Sequence, residues 1–99
     1  MKVFISQPMR GLTDEQIQRA RDRAVRAVRN TYGEDVEVLD TFFKDAPAEA
    51  RPLWYLGKSL EYLADADLAV FVRGWDSARG CRIEHQSAEA YGISVMYID

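Results

Sequence analysis

Five consecutive apolar residues, Leu68-Ala69-Val70-Phe71-Val72, constrain the fold of this chain more than any other stretch. A run this short and this continuously apolar reads as a strand covered on both faces. Strands of that kind belong to parallel sheets, whose crossover connections are helices. The residues after the run agree with this. Arg73-Gly74-Trp75-Asp76-Ser77-Ala78-Arg79-Gly80 is largely polar and carries two glycines, and Cys81-Arg82-Ile83-Glu84-His85 then opens a helix. In a parallel α/β sheet, strand, loop, helix is the order in which a strand presents its loop to a ligand.

The rest of the chain repeats the alternation. Val3-Phe4-Ile5 is a short β-prone run, stopped by Gln7-Pro8 and Gly11. Thr13 is placed to cap the next helix, Gln16 to close a capping box, and Asp14 and Glu15 to complement the helix dipole. Ile17, Ala20, Ala24, Ala27, Val28 and Thr31 recur at helical spacing up to a stop at Gly33. Residues 36–39 read as a second strand. Residues 40–51 contain Pro47 and hold no steady period, which predicts a loop, and long loops in compact domains are often functional. Pro52 suits the first turn of a second helix, whose expected buried stripe is Leu53, Leu56, Leu60 and Leu63. A third helix is expected over about 82–91, ended by Gly92, and a closing strand over 93–98.

The order β-α-β-α-β-α-β spans residues 1–99 as a single domain, with no repeat or linker. Right-handed crossovers leave a doubly wound α/β fold as the simplest topology, a parallel four-stranded sheet in the order 2-1-3-4 with flanking helices. Its switch point falls between the first and third strands, and ligands bind outside the carboxyl ends there. The loops delivered to that crevice are residues 6–13 and 73–80, the two most motif-like segments of the sequence.

Composition bounds the function. With 13 Lys and Arg against 16 Asp and Glu, the net charge is −3, which gives no reason to expect bulk nucleic-acid or anionic-membrane binding. The single cysteine, Cys81, permits no internal disulfide and no cysteine framework for zinc, and no cofactor is expected. The apolar opening is too short for a signal-peptide core, so a cytoplasmic protein is the expectation. A 99-residue chain has a thin core, which makes homo-oligomerisation an expected source of further burial.

Several residues are candidates for chemistry, each with a plainer reading beside it. In Gln7-Pro8-Met9-Arg10-Gly11, free N–H groups at a helix start beside Arg10 suit a phosphate or other anion, although the pattern is no P-loop; the plainer reading is a strand-to-helix turn. Gly74, Trp75, Asp76, Arg79 and Gly80 offer an aromatic plane with hydrogen-bonding groups, suited to a nucleobase or sugar; otherwise Trp75 simply folds back on the core. Glu84, read as first-turn, is a candidate nucleophile at an anomeric carbon, or merely an acid favoured by the helix dipole. Cys81 and His85 share a helix face but lack an orienting third group. Asp67 immediately precedes the third strand and reads as structural. Ser59, Tyr55 and Trp54 on the second helix are better placed to approach the crevice.

Phe4-Ile5-Ser6-Gln7-Pro8-Met9-Arg10-Gly11, Ala66-Asp67-Leu68-Ala69-Val70-Phe71 and Gly80-Cys81-Arg82-Ile83-Glu84 together resemble the nucleoside 2-deoxyribosyltransferase superfamily. The likeness is closest to a small branch common in bacteria and their phages, and it extends to the branch that hydrolyses 2′-deoxynucleoside 5′-monophosphates. It covers nearly the whole chain. The resemblance implies a flavodoxin-like fold and cleavage or transfer of an N-glycosidic bond through a glutamate nucleophile, which falls at Glu84. It implies that Arg10 and Gly11 belong to a phosphate-binding loop, that the ligand is a small nucleoside or nucleotide, and that the setting is a bacterial or phage-infected cytoplasm. Two positions depart from the family. Its second catalytic carboxylate, an aspartate, falls at Ser59, and a serine does not serve as the same proton donor. The tyrosine of the hydrolase branch falls at Phe4. An enzyme and a nucleotide-binding module without turnover both stay open.

Overall fold

The computed structural model describes residues 1–99. Strand β1 (Lys2–Ser6) leads into helix α1 (Asp14–Tyr32), strand β2 (Glu37–Val38), helix α2 (Pro52–Leu63), strand β3 (Leu68–Val72), helix α3 (Arg79–Ala90) and strand β4 (Ser94–Ile98). A single 3-10 turn, Trp75–Ser77, lies between β3 and α3. The sheet is entirely parallel in the order β2-β1-β3-β4, the flavodoxin-like arrangement expected from the alternation of elements. No helix is long and apolar enough to cross a membrane.

Every residue of β3 is buried, and its alternating side chains divide the core in two. Leu68, Val70 and Val72 join Val3, Ile5, Ala24 and Val28 beneath α1. Ala69 and Phe71 face the other way, with Phe4, Leu63 and Ala88, beneath α2 and α3. The small Ala69 and Ala88 let α3 lie close to the sheet, while buried Phe71 contributes about 1.5–3 kcal/mol of hydrophobic stabilisation.

Local sequence explains most boundaries. Thr13 Oγ1 accepts from the Gln16 backbone N–H at 3.1 Å, and Gln16 Oε1 accepts from the Thr13 N–H at 2.9 Å, completing the capping box at the start of α1. Gly33, with φ of 111°, ends that helix in a conformation that favours glycine. Two expectations need correction. The α2 stripe is not uniformly buried: Leu63 is the helix's one buried residue, and Leu53 is 75% exposed. Helix α3 begins at Arg79 rather than near Arg82, because Gly80 and Cys81, which read as loop and approach, already sit in its first turn.

Candidate active site at the switch point

β1 and β3 pair in register, with Ser6 beside Phe71 at their carboxyl ends. Alternation along β1 turns Phe4 and Ser6 toward the α3 side of the sheet and Gln7 toward α1. Cys81 and Glu84, three apart on α3, both turn inward. The result is a buried contact at the switch point: Ser6 Oγ donates to Glu84 Oε1 at 2.6 Å. The short separation is that of a hydroxyl serving a carboxylate.

Glu84 is 7% exposed. Burial raises its pKa above the ordinary carboxylate value, while Ser6 and Ser59, which reaches in from α2, favour the charged form and hold the rise back. Its place on the helix also removes the plainer reading. With α3 starting at Arg79, Glu84 lies beyond the first turn, which contains no acid, so the helix dipole does not account for it. Burial pushes the neighbouring Cys81 thiol up to about 11, against a lowering influence from Ser6 and with the Glu84 charge adding to the rise. Cys81 is therefore a neutral, inert thiol at neutral pH.

The two loops meet as the topology requires. Gly74 is left-handed at φ 92°, and a Cβ there would lie 3.3 Å from Pro8 Cγ, so a glycine both makes the turn and admits the opposing proline. Pro8 and Met9 are half-buried, whereas Arg10 and Gly11 stand exposed at the tip. Gln7 is buried on the opposite side of the sheet from Glu84, its Nε2 donating to the Ile17 carbonyl at 3.0 Å and its Oε1 left without a partner. Asp76 and Arg79 are exposed, and nothing lies within 4 Å of where a Gly80 Cβ would stand. There is open room beside the start of α3.

Trp75 is engaged elsewhere. Its indole stacks on the His85 ring at 4.1 Å and 23°, and its centroid is 5.5 Å from that of Phe71. His85 Nε2 lies 2.6 Å from the Tyr97 hydroxyl. Trp75, His85, Tyr97 and Phe71 thus form one aromatic assembly, which the spacing of residues in sequence did not reveal. The signal was faint but present, since β3 and β4 in parallel register set Phe71 beside Tyr97. Asp67 sits at the other edge of the sheet, accepting from the Lys2 backbone N–H at 2.7 Å, in keeping with a structural role.

Two of the recesses at the surface bear on the site. One, of ≈ 870 Å³, lies between α1, the loop after β2 and α2; the other, of ≈ 470 Å³, lies on the α1 side near Gln7, Arg23 and Val72. Glu84 lines neither of them. No three His, Cys, Asp or Glu side chains converge as a set of metal ligands.

No curated protein and no solved structure matches the sequence. One family does. The match is to the domain of unknown function DUF4406, it runs over residues 1–97, and the chain belongs to that family.

Proposed function

We propose that the chain cleaves or transfers the N-glycosidic bond of a nucleoside or nucleoside monophosphate, with Glu84 as nucleophile. One observation carries the reading: a carboxylate only 7% exposed sits at the carboxyl edge of the switch point, oriented by Ser6 across 2.6 Å. Burying a carboxyl group costs stability, and such groups concentrate at functional sites. The resemblance of the surrounding motifs to the nucleoside 2-deoxyribosyltransferase superfamily supports the same residue independently.

In the first step a Glu84 carboxylate oxygen bonds to the anomeric carbon while the C1′–N bond breaks, and the bonding electron pair leaves with the base. Ser6 occupies Oε1, which leaves Oε2 to attack. Water then adds its hydroxyl to the anomeric carbon as the C1′–O bond to Glu84 breaks and frees the carboxylate, and the proton that water loses balances the one the departed base takes up; a second base in place of water gives transfer. The Gln7-Pro8-Met9-Arg10-Gly11 loop holds the 5′-phosphate or hydroxyl. Asp76 and Arg79 face the base or sugar, and the open room beside Gly80 admits it. The leaving base needs a proton, and Ser59, near Glu84, is too weak an acid to match an aspartate in supplying it.

The test is incubation with a panel of nucleosides and nucleoside monophosphates, followed by measurement of free base. Base release that Glu84→Ala abolishes is the expected result. Absence of release from every substrate, with wild type and variant alike, overturns the reading.

A second reading, a module that binds a nucleotide-derived molecule without converting it, draws on Ser59 and Phe4, which stand where the family's catalytic aspartate and tyrosine fall. Intact ligand recovered in stoichiometric amount from purified protein favours it. Chemical conversion of that ligand counts against it.

A further inference from the structure

The larger recess lies on the other side of α2 from Glu84. Trp54, Lys58 and Tyr62, spaced four apart, turn toward it, whereas Ser59 turns toward Glu84. Arg21, from the middle of α1, lines the recess and is only 6% exposed. Its Nη2 donates to the Leu39 carbonyl oxygen and its Nη1 to Thr41 Oγ1 at 3.3 Å. Its Nε has no partner in the protein and, unlike Gln7 Oε1, is not sealed from solvent.

No carboxylate forms an ion pair with this guanidinium, although four acids line the same recess. Asp65 is taken by Lys2 at 2.7 Å and Glu61 by Lys58 at 3.2 Å. Asp40 and Asp22 act on Arg21 only at longer range, and Asp40 Oδ1 accepts from the Phe42 N–H at 3.3 Å. Asp45 is exposed, beside Lys44. Lys44 likewise pairs with no acid; its Nζ stands 5.1 Å over the Phe42 ring. A buried cation without a counter-ion is unfavourable, and two unpaired cations on one recess leave a place for an anion.

The walls specify more. Phe43 meets Trp54 edge-on at 6.1 Å and lies 5.6 Å from Tyr62, so the recess is bounded by aromatic rings that brace one another. We propose that this recess is a second ligand site, separate from Glu84, for a small planar molecule bearing one carboxylate or equivalent oxyanion. The oxyanion binds Arg21 and Lys44, and the ring lies against Phe42 and Trp54. The site goes beyond the glycosidic reading and does not depend on it.

The test uses isotopically labelled protein titrated with benzoate, read at the Arg21 Nε–H and Trp54 indole N–H resonances. Saturable shifts at both are expected, with binding about tenfold weaker for benzamide, which keeps the ring and loses the charge. Inorganic phosphate, which keeps charge and loses the ring, is expected to bind weakly too. Because Arg21 also holds the end of β2, Lys44→Gln is the informative variant: it weakens benzoate about tenfold while the fold persists. Glu84→Gln leaves benzoate binding as it was, which separates this outcome from that of the glycosidic assay. No saturable shift, an equal response to benzamide or phosphate, or indifference to Lys44→Gln overturns the proposal.

Discussion

The Ser6 hydroxyl donates to Glu84 Oε1 across 2.6 Å, although the two residues are 78 positions apart in sequence. The contact ties the end of the first strand to the third helix, and it exists only once the parallel sheet has formed. It is therefore both a tertiary lock and the means by which a buried carboxyl group is aimed.

Removing the lock has a measurable cost. Ser6→Ala leaves Glu84 short of a charge-assisted partner in a site nearly closed to water, and destabilisation of about 1.5–3 kcal/mol in urea unfolding at neutral pH is expected. The penalty shrinks in acid, where Glu84 is protonated. A loss that is the same at pH 4 and pH 8 contradicts this account.

Glu84 itself works against stability. Its pKa is raised in the folded chain, so between the ordinary carboxylate value and the folded value the native state holds a proton that the unfolded state has lost. Stability therefore falls as pH climbs through that window, and the full penalty persists above the folded pKa. Glu84→Gln keeps an acceptor for Ser6 and removes the charge. Unfolding curves from pH 4 to 8 should show the variant flatter with pH and more stable at neutrality. A variant less stable than wild type at pH 8 sinks the argument.

Cys81 should be unreactive in the native state. With its pKa near 11, roughly one thiol in a thousand is ionised at pH 8, and the group is 6% exposed. Iodoacetamide is expected to label it only after denaturation, as mass spectrometry of intact protein would reveal. Rapid native labelling contradicts the burial.

Ser59 offers a gain-of-function test of the glycosidic reading. Ser59→Asp puts a second carboxyl group near Glu84, and two acids so close separate their pKa values, leaving one protonated. That proton is the one the departing base lacks. Base release is expected to rise by about 10²-fold, within the usual range for an added general acid. An unchanged rate, in a variant that still folds, means Ser59 stands outside the path of the leaving group.

The sheet order was legible because it depends on coarse signals: a continuous apolar run, strands alternating with helical periods, and the handedness of crossovers. The approach of the two loops followed from the same topology. The start of α3 was not legible, since Ala78 caps it without a side-chain hydrogen bond and so leaves no signature in sequence. The environment of Glu84 was only half legible. Topology and resemblance pointed to its location, but its serine partners depend on which way single side chains turn at the ends of β1 and α2. The aromatic assembly around His85 escaped for the same reason, because it joins residues from β3, the 3-10 turn, α3 and β4.

Helix α2 rests on the core through buried Leu63 and half-buried Leu60, while β1 and β3 are buried almost throughout. Cooperative units with so little apolar burial open at lower free energy than the whole chain unfolds. Amide hydrogens of α2 are thus expected to exchange early, and those of β3 only with global unfolding. Since Ser59 rides on that helix beside Glu84, a helix with little buried surface is also a cover of the carboxyl group. Access to Glu84 is then a matter of how often α2 lifts, with no part of the central sheet disturbed.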